Sequence, residues 1–145
     1  MAQMRELSRA VPLLLLSALA AGAEGCAGSP RIEIHGQEAR LSSMFGGACS
    51  IFLNIRNPGD GGDVLVGARV DLPGAIAEIH DVKDGRMVRK GKVAVPAKGV
   101  VELRPGGLHI MVFNLPRDAG AGTELTLRLE FETSGEKRTS VRIHG

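Results

Sequence analysis

Beyond Pro30 the apolar residues fall into short runs in which every second side chain is apolar. Leu125, Leu127, Leu129 and Phe131 alternate with Thr126, Arg128, Glu130 and Glu132, and Cys49, Ile51, Leu53 and Ile55 share one face in the same way. Successive side chains of an extended strand point to opposite sides, so this period of two marks half-buried strands. Further runs cover Val64 to Val70, Ala75 to Val82, Arg86 to Val95, Val100 to Leu103 and Leu108 to Leu115, with Ile32 and Ile34 before them and Val141 and Ile143 after. Gly and Pro clusters break the runs, among them Asn57-Pro58-Gly59, Leu72-Pro73-Gly74, Asp84-Gly85 and Arg104-Pro105-Gly106-Gly107. These are turn formers, because Gly supplies positive φ and Pro presets φ. No helical stretch stands out after the amino-terminal region. Seven to nine short strands predict an all-β domain, a β-sandwich or Greek-key barrel. Its core must be mainly aliphatic, since the chain has four Phe and neither Trp nor Tyr.

The amino end has a different character. Arg5 and Arg9 precede an apolar stretch from Val11 to Ala23, followed by small residues. A charged start, a short apolar run and an Ala-x-Ala end form the secretory pattern, and the run is short for a membrane span. Residues 1–25 are therefore expected to be a signal peptide, and 31–145 one folded domain. Ala23-Glu24-Gly25-Cys26 resembles the lipobox of bacterial lipoproteins, in which the Cys is acylated, although Ala23 and Glu24 depart from the usual pattern. Cys26 is the candidate lipidation site; an ordinary cut after Ala20 or Ala23 is the alternative. With Cys26 acylated, Cys49 is a lone thiol; with Cys26 unmodified, the two can pair in an oxidising compartment. The expected location is the periplasm or the outer face of the cytoplasmic membrane, with membrane contact only through a lipid.

Charge and composition exclude one class of partner. A net charge of +2 gives no electrostatic footprint for nucleic acid, and four Phe make no stacking platform.

The residues with chemistry to offer form two pairs. Asp84-Gly85 suits a two-residue type I′ turn. In that hairpin Lys83 faces Arg86, Val82 faces Met87 and His80 faces Arg89, so His80 and Met87 are diagonal neighbours on one face. The second pair is His109-Ile110-Met111, where residues i and i+2 of a strand point the same way and Ile110 turns to the core. Thioether sulfur is soft and prefers copper(I), and imidazole also serves copper. All four donors are neutral. Outside the cytoplasm thiolates are at risk of becoming disulfides, a fate Met escapes. Each residue also has a plain reading: a Met in a strand packs the core, a His sits at the surface, and Asp81 beside His80 faces solvent. A cupredoxin electron-transfer site would need two His, a Cys and a weak axial Met, and Cys49 lies far upstream of His80. A metal-dependent hydrolase would need an open position and a nearby acid or base, for which Asp81 is the close candidate. A metal-free cell-surface binding or structural module is the remaining alternative. Met44, in a Gly-flanked loop, has two readings, approach to the site or packing within the loop, of which packing is preferred, and His35 and His144 are read as surface residues.

The stretch from Gly47 to about Arg142 resembles the bacterial periplasmic copper chaperone family PCuAC (DUF461). That family's hallmark is His, ten residues, Met, twenty-one residues, then His-x-Met. Here twenty-one residues separate Met87 from His109, with Ile110 and Met111 following. Phe52-Leu53-Asn54-Ile55-Arg56-Asn57-Pro58-Gly59-Asp60, Glu78-Ile79-His80 and Val101 to Met111 also read like family sequence. One departure is that six residues, not ten, separate His80 from Met87. Removing two from each arm of a hairpin preserves its register, whereas an odd deletion would turn one ligand to the opposite face. The resemblance implies a cupredoxin-like fold, a copper(I) site at His80, Met87, His109 and Met111, and a carrier rather than an enzyme. It also implies a copper-accepting partner, either a cytochrome c oxidase subunit or another copper chaperone.

Overall fold

A computed structural model describes residues 28–145. The expected signal peptide and Cys26 lie outside the described residues. Ten strands follow one another: β1 (Glu33–Leu41), β2 (Cys49–Asn57), β3 (Asp63–Val70), β4 (Ile76–Lys83), β5 (Arg86–Arg89), β6 (Val93–Val95), β7 (Gly99–Leu103), β8 (His109–Phe113), β9 (Glu124–Phe131) and β10 (Gly135–His144). Among the described residues there is no helix.

The strands are hydrogen-bonded in the order β5-β4-β8-β2-β1-β10-β9-β3-β6, with β7 also paired to β2. A short parallel pairing of β1 with β10, Ala39 opposite Ile143, joins the two halves of this path. The path folds back on itself, so that β3 packs near β4 and β6 near β2 and β7. The inner faces of the two halves enclose an aliphatic core that includes Ile51, Leu53, Ile110, Leu127, Leu129 and Ile143. The all-β sandwich predicted from the alternation is thus observed.

One run was misdivided. Arg86 to Val95 reads as one strand but forms two, and they lie in different halves: β5 pairs with β4, and β6 pairs with β3. Lys90-Gly91-Lys92 separates them, and three residues without an apolar side chain give the ladder nothing to bury. The final strand is also longer than Val141 and Ile143 suggested, beginning at Gly135. Its first half is polar on both faces yet pairs fully with β9, from Gly135 opposite Phe131 onward.

β8 breaks the alternation in an informative way. His109, Ile110, Met111 and Val112 are all buried. Ile110 and Val112 face the core. His109 and Met111 must therefore be covered on the opposite side of the sheet.

Candidate metal centre

The β4–β5 hairpin has the register that the sequence predicts. Lys83 pairs with Arg86, Val82 with Met87, and His80 with Arg89. Asp84 and Gly85 both have positive φ, 51° and 72°, as a type I′ turn requires. On its other side β4 pairs with β8, which sets His80 opposite His109 and Glu78 opposite Met111. β2 continues the sheet, with Ser50 opposite Met111. His80, Met87, His109 and Met111 therefore project from one face of three consecutive strands. That face is turned away from the core, which lies under Ile79, Ile110 and Ile51.

The loop between β1 and β2 roofs this face. Ser42, Met44 and Phe45 from the loop, Ser50 from β2, Val82, Gly85 and Met87 from the hairpin, and His109 and Met111 from β8 line a cavity of about 260 Å³. Phe45 stacks edge-on against Phe113, with ring centroids 6.5 Å apart. Under this roof Met111 is 2% exposed and His109 6%, while Met87 on the outermost strand is 37% exposed. The hairpin turns tightly at Asp84-Gly85, and its four-residue outer strand gives that edge no longer arm to cover it.

Hydrogen bonds fix which nitrogen each imidazole can offer. His109 Nδ1 lies 2.8 Å from the carbonyl oxygen of Gly107. A carbonyl only accepts, so Nδ1 carries the proton and Nε2 of the neutral ring keeps its lone pair. That Nε2 lies 3.2 Å from the sulfur of Met87. His80 Nε2 lies 3.0 Å from Glu78 Oε2. The neighbouring imidazole, with Arg89 helping, holds the Glu78 carboxyl below the usual carboxylate range, so Glu78 accepts and Nε2 of His80 donates. His80 Nδ1 is then a buried nitrogen without a hydrogen-bond partner. An imidazole that donates one N–H to a carboxylate or carbonyl and keeps the other nitrogen bare has the arrangement of a metal-ligating histidine. Met111 is held in its turn, its sulfur accepting from the Ser50 hydroxyl at 3.4 Å.

Three of the four candidate residues, Met87, His109 and Met111, line the same cavity. His80 stands beside it, its ring centroid 6.0 Å from that of His109 and 5.9 Å from that of Phe113. Met44 corrects the sequence reading. It is 82% exposed, so it is no packing residue, yet it is one of the residues lining the cavity. Its only signal in the sequence was a Met in a Gly-flanked loop, which does not decide between packing and approach to the site, and the structure favours approach. His35 and His144 are exposed, as expected.

Cys49 is fully buried in the core, on the other side of the sheet from His109, and burial pushes its thiol up to about 11. It cannot join these imidazoles in a cupredoxin ligand set. Asp81 alternates with His80 to the opposite face of β4 and pairs with Lys90 at 3.7 Å. It is thereby removed as an acid or base for chemistry at this cavity.

Comparison with known proteins agrees with the architecture. Residues 32–143 match the family described as "Putative lipoprotein LpqE-like". "Putative lipoprotein Lxx21020" of Leifsonia xyli subsp. xyli (strain CTCB07) is 23% identical over 155 residues, covering 97% of this chain and 93% of that protein. Among solved structures, the apo PCuAC domain from PmoF1 superposes with a TM-score of 0.67 at 27% identity, covering 79% of this chain and 93% of that domain. Copper(I)-bound DR1885 from Deinococcus radiodurans shares the fold, with a TM-score of 0.64 at 19% identity over 86% of this chain and 85% of that one. The copper-bound PCuAC domain from PmoF2 does so at 20% identity and a TM-score of 0.64, covering 79% of this chain and 92% of that domain. With the match running through almost all of the sandwich, this chain, built on the fold of PCuAC domains, belongs to the LpqE-like family.

Proposed function

We propose that this chain carries one copper(I) ion outside the cytoplasm, held by His80, Met87, His109 and Met111, and passes it to a copper-accepting protein. The observation that carries this reading is the 3.2 Å approach of Met87 sulfur to His109 Nε2. With Nδ1 committed to Gly107, both facing atoms are lone-pair donors. A cation between them turns that opposition into attraction. The donor set selects the ion. Two thioethers and two imidazoles are soft and neutral, which favours copper(I) over zinc, whose sites are built from Cys, His and carboxylate. His80 completes the set through its free Nδ1, with Nε2 still donating to Glu78.

The role is carriage rather than catalysis. Three donors converge on a cavity that opens at an edge strand, which suits exchange of an ion, and Asp81 is turned away. The PCuAC domain from PmoF1, at 27% identity, supports the copper reading. The lipoprotein description of the family supports export and a lipid on Cys26. The recipient belongs to the same reading: a copper centre of cytochrome c oxidase or another copper chaperone. Competition titration with a chromophoric copper(I) chelator tests the proposal. One copper(I) per chain is expected, with binding weakened by His109→Ala and by Met111→Ala. Equal binding by the wild type and the double variant would refute it.

A further inference from the structure

We propose that Met44 is an exchange ligand, whose thioether takes copper(I) at the mouth of the site and alternates with His80 during loading and release. This rests on the copper(I) reading above and adds a donor that the His/Met pairs do not contain. Among the residues lining the cavity, the thioether and imidazole donors are Met44, Met87, Met111 and His109. His80 is not among the lining residues, being held by Glu78 and packed between His109 and Phe113. In this arrangement Met44 is the fourth donor facing the cavity.

The loop presents that donor deliberately. On one side of Met44, the Ser42 hydroxyl accepts the backbone N–H groups of Met44 and Phe45 at 3.3 and 3.1 Å. On the other, the Gly47 carbonyl accepts from Leu115 N–H at 2.8 Å, and the Phe45 ring is anchored on Phe113. The backbone is tethered at both flanks while the Met44 side chain is 82% exposed. Methionine has an unbranched, freely rotating stem, so such a thioether sweeps the cavity mouth without moving the loop.

Ligand chemistry gives the arm its use. An ion handed over without being released into water needs the incoming donor bound before the outgoing one leaves. At Met44 a copper–sulfur bond forms as the copper–nitrogen bond to His80 breaks. Both donors are neutral and copper stays monovalent, so no proton or electron moves.

The test uses copper(I) supplied from, and returned to, a bathocuproine-type chelator. Met44→Leu keeps the apolar bulk and removes the donor. It is expected to take up copper(I) from the chelator and to release it to the chelator at least about 5-fold more slowly than wild type, since a missing exchange ligand acts on rates in both directions. His80→Ala is expected to retain copper that His80→Ala/Met44→Leu does not, and the Met44 methyl carbon resonance should shift when copper is added to His80→Ala. Wild-type release by Met44→Leu, or equal binding by the single and double His80 variants, overturns the proposal while leaving the copper(I) reading in place. Failure of the wild type to bind copper overturns both.

Discussion

The sulfur of Met87 reaches Nε2 of His109 across the whole width of β4, because β5 and β8 are neighbours of β4 and not of each other. Two strand spacings separate their backbones by roughly 10 Å. Only a long side chain closes such a gap. Met87→Ala should therefore abolish this contact, and Met87→Leu should keep the packing while losing the donor. Both are expected to weaken copper(I) binding at least about tenfold, equivalent to about 1.4 kcal/mol. If Met87→Leu binds as wild type in a chelator competition, the thioether is packing and not a ligand.

Copper should also stabilise the fold. His80 and Met87 come from the β4–β5 hairpin and His109 and Met111 from β8, with twenty-one residues between Met87 and His109, so the two pairs meet only when β8 docks on β4. A ligand that binds only the native state adds about 2.7 kcal/mol at a concentration one hundred times its Kd. The thermal midpoint is expected to rise when one equivalent of copper(I) is added under reducing conditions. His109→Ala/Met111→Ala should show no rise, and a rise of wild-type size in that variant would place the copper elsewhere.

Much of this geometry was legible in the sequence because it depends on parity alone. Asp84-Gly85 fixed the hairpin register, and a register in β-structure fixes the face of every side chain, so Val82 opposite Met87 followed directly. His109 and Met111 on one face followed from their spacing of two. What parity does not tell is which strands become neighbours. The pairing of β4 with β8, which sets His80 against His109, is a long-range choice made by burial of Ile79 and Ile110. The split of β5 from β6 was hidden for a similar reason, since Val88, Val93 and Val95 look alike although the strands belong to different halves. Glu78 was passed over, and packing was preferred for Met44, because hydrogen bonds to a histidine and exposure at a cavity rim leave no periodic trace.

Glu78 makes the third prediction. Its carboxylate holds His80 Nε2 and so leaves Nδ1 bare. Outer-shell partners of metal-ligating histidines typically account for 10–100-fold in affinity. Glu78→Ala is expected to weaken copper(I) binding by about 10-fold or more, in the same range, and Glu78→Gln, whose amide oxygen can still accept, by less. The far-ultraviolet circular dichroism should be unchanged in both. Equal affinity for all three proteins would show that His80 needs no such support.

Cys49 should be inert in the folded protein. It is fully buried and its thiol is pushed up to about 11 by loss of solvation. Only the thiolate is nucleophilic, so neither exposure nor ionisation favours reaction. Iodoacetamide at neutral pH is expected to leave Cys49 unmodified in the native state and to label it fully in urea, as read by peptide mass spectrometry. Rapid native labelling would mean that the β2–β8 region opens readily.

Asp63 sets the acid limit of the fold. It begins β3, is 5% exposed, and accepts backbone N–H groups from Val64, Thr133 and Ser134 at 2.8, 2.8 and 2.9 Å, tying β3 to the turn between β9 and β10. Burial alone would raise its pKa, but the hydrogen bonds from Ser134, Thr133 and Val64 outweigh it and the carboxyl lies below its ordinary value. A depressed native pKa means that the unfolded chain takes up the proton first as pH falls. The contribution of Asp63 is therefore complete above its unfolded pKa of about 3.9 and is lost as pH drops through the lower native value. Asp63→Asn keeps the shape but removes the charge and replaces one accepting oxygen by a donor. It should cost about 1–3 kcal/mol at neutral pH. Urea unfolding at pH 7 and at pH 3 checks the sign: the gap between wild type and variant should narrow in acid, and a gap that holds constant or widens would show that the charge of Asp63 is not what the turn depends on.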